Sequence, residues 1–319
     1  MSRFIRSISS LALAGLLASC ATSSGAGGQA SPGDAVSLRF AWPQGFTAQV
    51  VSTTSEARGD KPPEPLERRY DIKLERTGEE LRLITGRPPT TGPGSIPAEV
   101  QLPPTPVIVM GPSGELKRIE GSQQAVAEMF KDAESQGVPA EQRDRLAKLV
   151  GEALEQAARD RWEELVGKWT GLTLKPGEAV ERKGRITVPF FGNSVTTRER
   201  LSLKGRVSCT EGGAEQRCVR MALESSMDPA DAERAGAEMG QRMRDFMVAN
   251  SGLPESSIPK MTVTKLQISG SLEFIVEPET LIPHRLSGAS NSAILMQDEN
   301  GETQDFKLQS ERVEVFTPA

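Results

Sequence analysis

The chain has 319 residues, with 38 Lys and Arg against 43 Asp and Glu, a formal charge of −5 and 37% hydrophobic residues. That balance gives no basic footprint for nucleic acid, and the length suffices to bury a large core. One Tyr and three Trp argue against a sugar-stacking surface.

The first twenty residues have a marked order. Met1, Arg3 and Arg6 precede an apolar run from about Ile8, which ends in Leu17-Ala18-Ser19-Cys20. A charged segment, about a dozen apolar residues and a small-residue cut site make an export signal. The run is shorter than the roughly 20 residues that cross a ~30 Å hydrocarbon layer. Because the cut site ends in cysteine, the segment resembles the lipobox of bacterial lipoproteins. The resemblance implies that 1–19 is a signal peptide and that Cys20 becomes the lipidated first residue of the mature chain. It implies acyl chains such as palmitate, a lipid bilayer as partner and a place in the cell envelope. Ala21 stands where an Asp would favour the inner membrane, so the same resemblance implies the outer membrane, facing the periplasm. Without 1–19 two arginines are gone and the charge becomes −7. Residues 20–33, rich in Ser and Gly after Cys20, read as a flexible tether, and 34–319 as a single periplasmic domain.

Within that body, residues 36–56 read as a strand pair around Trp42-Pro43. In 66–74, Leu66, Tyr70, Ile72 and Leu74 alternate with charges, the period of a half-buried strand. Thr77-Gly78 turns it into Leu81–Ile84. A loop follows with seven prolines among residues 87–106. Val107–Met110 and Leu116–Ile119 flank a tight turn at Gly111–Gly114. Ser122 is placed to cap a short helix carrying Val126, Met129 and Phe130. A second helix is expected from Pro139 to Trp169. Its stripe includes Leu146, Leu149, Val150, Leu154, Leu165, Val166 and Trp169, and is expected to pack on a sheet.

Strands resume at 185–191, 195–207 and 218–227. Cys209 and Cys218 flank Gly212-Gly213, and an exported compartment favours a disulfide between them. The two cysteines fall out of step in the alternation, which a bulge or an asymmetric turn would reconcile. Two cysteines and one distant histidine make a poor metal-ligand set, so no metal and no cofactor is expected. Asp228-Pro229 opens a third helix, whose Met239 and Met243 belong to a core-filling stripe. The remainder reads as strands: Leu266 to Val276 inward on even positions, a long strand over 281–296 with Pro283 marking an edge or bulge, and a turn at Asp298–Gly301. Phe306 and Leu308 are even but Val313 and Val315 odd, which predicts a bulge near 309–312.

The expected fold is therefore α+β, a large curved antiparallel sheet, half-barrel-like, packed on two or three helices. In that outline the body resembles the half-barrels of envelope lipoprotein carriers, and Trp162–Trp169 followed by Leu174–Gly177 resembles uncharacterised bacterial lipoproteins. Catalytic chemistry is sparse. His284 is the only histidine, and no Gly-x-Ser-x-Gly elbow occurs. Ser257 and Lys260 match Ser-x-x-Lys, but Pro259 interrupts it and its companion motifs are absent. The expected function is non-enzymatic binding of an amphipathic ligand or an envelope protein partner. The alternative is a serine hydrolase-like enzyme using Ser257 and Lys260 or His284.

Cys20→Ser should leave the chain unprocessed or free in the periplasm; persistence in the membrane fraction after a high-salt wash would contradict the anchor. Cys209 and Cys218 should resist thiol labelling until reduced, and their short loop should contribute about 2–3 kcal/mol in the chain-entropy picture.

Overall fold

The computed structural model describes residues 35–58, 63–87, 104–131, 140–188, 193–251, 260 and 262–319. Cys20, the tether, Pro139 and Ser257 lie outside these residues. Strands β1 (Val36–Ser37), β2 (Thr47–Arg58), β3 (Glu64–Thr77), β4 (Glu80–Thr85), β5 (Val107–Met110) and β6 (Leu116–Glu120) come first. Helices α1 (Ser122–Phe130) and α2 (Ala140–Trp162) follow, and α2 runs on into one π-helical turn, Glu163–Gly167. Then come β7 (Thr173–Leu174), β8 (Ala179–Val188), β9 (Asn193–Val207), β10 (Cys218–Met227), α3 (Pro229–Ser251), β11 (Thr262–Val276), β12 (Pro283–Gln297) and β13 (Thr303–Pro318).

Among the described residues, eleven strands form one open antiparallel sheet in the order β6-β5-β4-β3-β2-β13-β12-β11-β10-β9-β8. It is two meanders, one from each end of the chain, joined where β2 pairs with β13. The fold is α+β, with a large curved sheet and three helices. The expected pair within 36–56 is not formed. β1 pairs with β7, and β2 lies between β3 and β13. Residues 38–46 instead cross one end of the core, burying Leu38, Phe40, Trp42 and Phe46. Their backbone is held by Leu38 N–H to Leu172 O and Ala41 N–H to Thr280 O.

The inner face is set by alternation. On β9, Val195, Thr197, Glu199, Leu201 and Leu203 are buried; on β11, Leu266, Ile268, Leu272, Phe274 and Val276 are. The main core joins Trp169, Leu165, Leu201, Met221 and Phe274. A smaller cluster, on the same face of β11, packs Ala235 and Met239 of α3 over Val195, Met227, Leu266 and Ile268. Asp228 caps α3 as expected, its Oδ1 accepting from Ala230 N–H at 3.0 Å.

Three further sequence expectations are corrected. Gly121, left-handed at φ 85°, is the N-cap of α1, and Ser122 lies inside the helix with a buried, unpaired hydroxyl. The sheet does not receive the whole stripe of the second helix. Leu149 is 37% exposed, whereas Leu165, Val166 and Trp169 are fully buried. Only the C-terminal end of α2 and its π turn enter the main core; further back, α2 meets α1 closely enough that a Cβ on Gly151 would touch Val126 at 3.5 Å. β13 has no bulge at 309–312, because its register to β12 and β2 is unbroken there. Its even positions stay inward throughout, and two of them are the charged residues Arg312 and Glu314. Of the two alternatives expected at Pro283, the structure has the bulge: the β11–β12 register shifts where Val276 meets Pro283, and β12 is an interior strand. A bulge does reconcile the alternation of the two cysteines, but it lies ahead of them: β9 carries an extra residue opposite Arg220/Met221, at Lys204-Gly205.

Leu165→Ala should cost about 2–5 kcal/mol, as a buried Leu truncation does. Leu149→Ala should cost less than about 1 kcal/mol. Urea midpoints of the two variants check the placement; equal losses would mean that the N-terminal half of α2 is buried after all.

Candidate functional site

Between the two apolar clusters the inner face turns polar. A cross-strand row runs Arg182, Glu199, Ser225, Gly270, Ser290, Ser310 over six neighbouring strands. One row away, Leu201, Leu223 and Leu272 are aligned; on the other side lie Thr197 and Met227. Small and polar side chains cannot fill the space that the leucines fill beside them. A half-open cleft of about 790 Å³ results, within the range of small-molecule sites. Its floor includes Leu223, Ser225, Gly270 and Leu272, and its walls are the end of α2, the π turn and β8.

The π turn shapes the opposite wall. Gly167 sits against the Trp162 ring, where a Cβ would come within 2.7 Å, and Trp162 Nε1–H donates to Gly114 O at 2.8 Å. The wider turn sends Leu165, Val166 and Trp169 into the core while Glu163, Glu164 and Lys168 line the cleft. Such π bulges often occur at functional sites. Glu199 is 5% exposed and doubly paired, to Lys168 Nζ at 2.5 Å and Arg182 Nε at 2.8 Å. Burial raises its pKa, but Lys168 and Arg182 more than offset that and hold it below the usual carboxylate range. On the opposite wall burial pushes Asp160 up to about 6, although Gln156 Nε2 donates to it at 2.8 Å. Burial raises Glu163 too. Arg159, Lys183 and Arg185 also line the cleft and are exposed.

A second buried network fixes α2 over the sheet. Arg161 Nη1 donates to Glu314 Oε2 at 2.6 Å, and Tyr70 Oη donates to Glu314 Oε1 at 2.9 Å. Arg161 also reaches Tyr70 Oη at 3.2 Å and stacks 5.7 Å over Phe316. Arg312 binds Glu164 Oε2 at 2.7 Å. Burial would raise the pKa of Glu314, but Arg161 and Arg312 hold it down at about 2. Burial likewise pushes the Tyr70 phenol above its ordinary range.

The disulfide joins Cys209 and Cys218. His284 lies beside it and meets Glu277 Oε1 at 3.2 Å. Ser257 lies outside the described residues, and Lys260 is exposed. Neither the cleft nor the Glu314 network contains a residue singled out as a catalytic candidate from sequence. The missed signal is the pair of small residues at inward parity on the cleft floor, Ser225 and Gly270. The chain matches no protein-family model and no curated protein, so the chemistry is argued from its own side chains.

Glu314→Gln should cost about 3–5 kcal/mol, since it leaves buried guanidinium charge uncompensated. The two acids give opposite pH responses. Glu314 is lowered from 4.5, so its contribution is complete above about 4.5 and is lost as pH falls toward 2. Asp160 is raised from 3.8 to about 6, so stability falls as pH rises through that window. Allowing for its partial exposure, that loss is about 2 kcal/mol. Asp160→Asn should therefore stabilise the protein at pH 7.5 and flatten its urea midpoints between pH 4 and 6; an unchanged pH profile would contradict the assignment.

Proposed function

We propose that the protein is a lipid-anchored cell-envelope protein that acts by binding, and that its ligand is an amphiphile with an anionic head lying in the cleft. The observation that carries this reading is the cleft's division. Leucines and Ile186 offer apolar surface along the floor and one wall, while Arg159, Lys183 and Arg185 stand around it as cations. A chain that covers the leucines gains about 25 cal/mol per Å² of apolar area removed from water. An anionic head gains charge-assisted hydrogen bonds from the arginines. Glu199 does not repel it, because Lys168 and Arg182 already neutralise that carboxylate. The ligand is laid along the sheet, since the end of the core beside the cleft is filled by Trp169 and Phe274.

The protein-partner reading fits less well. It calls for a contiguous apolar patch. Among the described residues, the exposed large apolar ones are Leu66, Leu149, Val180, Phe306 and Val315, distributed over four elements, with Phe306 and Val315 on opposite faces of β13. The anchor rests on the N-terminal pattern ending in Cys20. With that lipid in the bilayer and 20–33 as tether, the cleft would work near the membrane surface.

A dansyl-labelled undecanoic acid is a suitable probe. Its emission should shift to the blue and saturate at one site per chain. Ser225→Phe fills the floor, and Lys183→Glu with Arg185→Glu reverses charge on the wall. Each change should weaken binding by about tenfold or more, equivalent to about 1.4 kcal/mol. Unsaturable binding, or unchanged affinity in Ser225→Phe, would contradict the proposal.

A further inference from the structure

We infer that reduction of the Cys209–Cys218 bond opens a site for a zinc-type divalent cation, formed by the two thiolates and His284. The histidine is far from the cysteines in sequence, yet the sheet brings them together. One ligand atom from each of the three residues lies within 4.8 Å of the other two. Around a tetrahedral zinc, sulfur and nitrogen ligands stand about 3.5–3.8 Å apart. Once the sulfurs separate, the three groups need movements of only about an ångström to reach that spacing.

A second observation points to the same chemistry. His284 is paired with a carboxylate, its Nε2 lying 3.2 Å from Glu277 Oε1, and Thr280 Oγ1 donates to Glu277 Oε2 at 3.1 Å. Metal-binding imidazoles are characteristically oriented by such a partner, which fixes the ring and raises its basicity. The pair does not depend on the disulfide. Glu277 N–H donates to Ile282 O and Leu281 N–H to Glu277 O, closing the turn between β11 and β12. Leu281 holds φ +58° in that turn, a conformation costly for a residue with a branched side chain. The core holds it there, with Leu281 fully buried and its carbonyl accepting from Trp42 Nε1 at 2.8 Å.

The cysteine loop has tethers besides the bond. Cys218 pairs with Val207 in the β9–β10 register, and Glu211 forms an ion pair with Arg285, the residue after His284. The thiols therefore stay near the imidazole when the bond opens. Reduction by a dithiol supplies two electrons and two protons, giving two thiols and the reductant's own disulfide. The cation then displaces both thiol protons, and a dipositive ion with two thiolates makes a neutral centre. His284 contributes a ring-nitrogen lone pair, and a fourth position remains for water. The oxidised protein has no thiolate and no such site, so cation binding follows the redox state of the compartment.

The full-length chain in detergent, reduced with a phosphine and desalted without oxygen, is titrated with Zn²⁺ against a chromophoric chelator. Expected are one zinc per chain, two protons released per zinc, and no uptake by the oxidised protein. His284→Gln should bind about tenfold or more weakly, and Glu277→Gln about 10–100-fold more weakly, as loss of an orienting partner does. Uptake by the reduced chain no greater than by a Cys209→Ser, Cys218→Ser double variant would overturn the inference. So would His284→Gln binding as tightly as the parent, or a reduced chain that loses its sheet circular-dichroism signal and does not recover it with zinc.

Discussion

The Glu314 carboxylate, held between Arg161 and Arg312 and capped by Tyr70, fastens the helical layer to the sheet. It lies on β13, at the seam where the first and last long strands pair. The two meanders have no covalent link at that seam, and Arg161 reaches it from α2. A carboxylate buried there is costly unless its partners are in place, and here both oxygens are bonded. That requirement fixes both the position of α2 along the sheet and its rotation. An apolar contact of equal area would tolerate sliding by a turn; a bonded network does not.

The cleft follows from that placement. Arg161 is one turn from Leu165, and the π turn between them converts one helix into two functions. Leu165, Val166 and Trp169 close the core, while Glu163 and Lys168 face the polar row of the sheet. Lys168 then joins Glu199, so the second ion cluster is aligned by the first. Asp160 carries the cost of this geometry: it is held in a wall that disfavours its charge. Groups perturbed in this way, beside a concave surface, are a recognised mark of functional sites. The raised acids Asp160 and Glu163 both lie at the cleft, which agrees with a site that accepts a ligand.

Alternation and turn chemistry made much of the fold legible. The even apolar positions of β11, the Asp228-Pro229 helix start and the Cys209–Cys218 pairing follow from local rules. The helix-covered sheet followed from the number of strands joined by tight turns. The failures share a cause. Arg312, Glu314 and Glu199 point inward, and a period-two reading assigns charges outward, so β13 was given a bulge that its register lacks. The π turn leaves no clear mark in composition. His284 and the disulfide are neighbours only because β11 and β12 turn back beside the β9–β10 hairpin, a long-range pairing that spacing does not encode. The cleft itself is marked in the sequence only by Ser225 and Gly270 at inward parity, a signal that acquires meaning once the register aligns them with Glu199.

The central claim is that the cleft over Ser225 and Gly270 holds an amphiphile against the sheet. The most direct measurement is solvent extraction of the chain purified from its native cells under mild conditions, followed by mass spectrometry of the extract. The account predicts an anionic amphiphile at close to one per chain, and its loss from a Ser225→Phe chain that keeps the parent's thermal midpoint. An extract from the parent no richer in such lipid than one from the Ser225→Phe chain would contradict it.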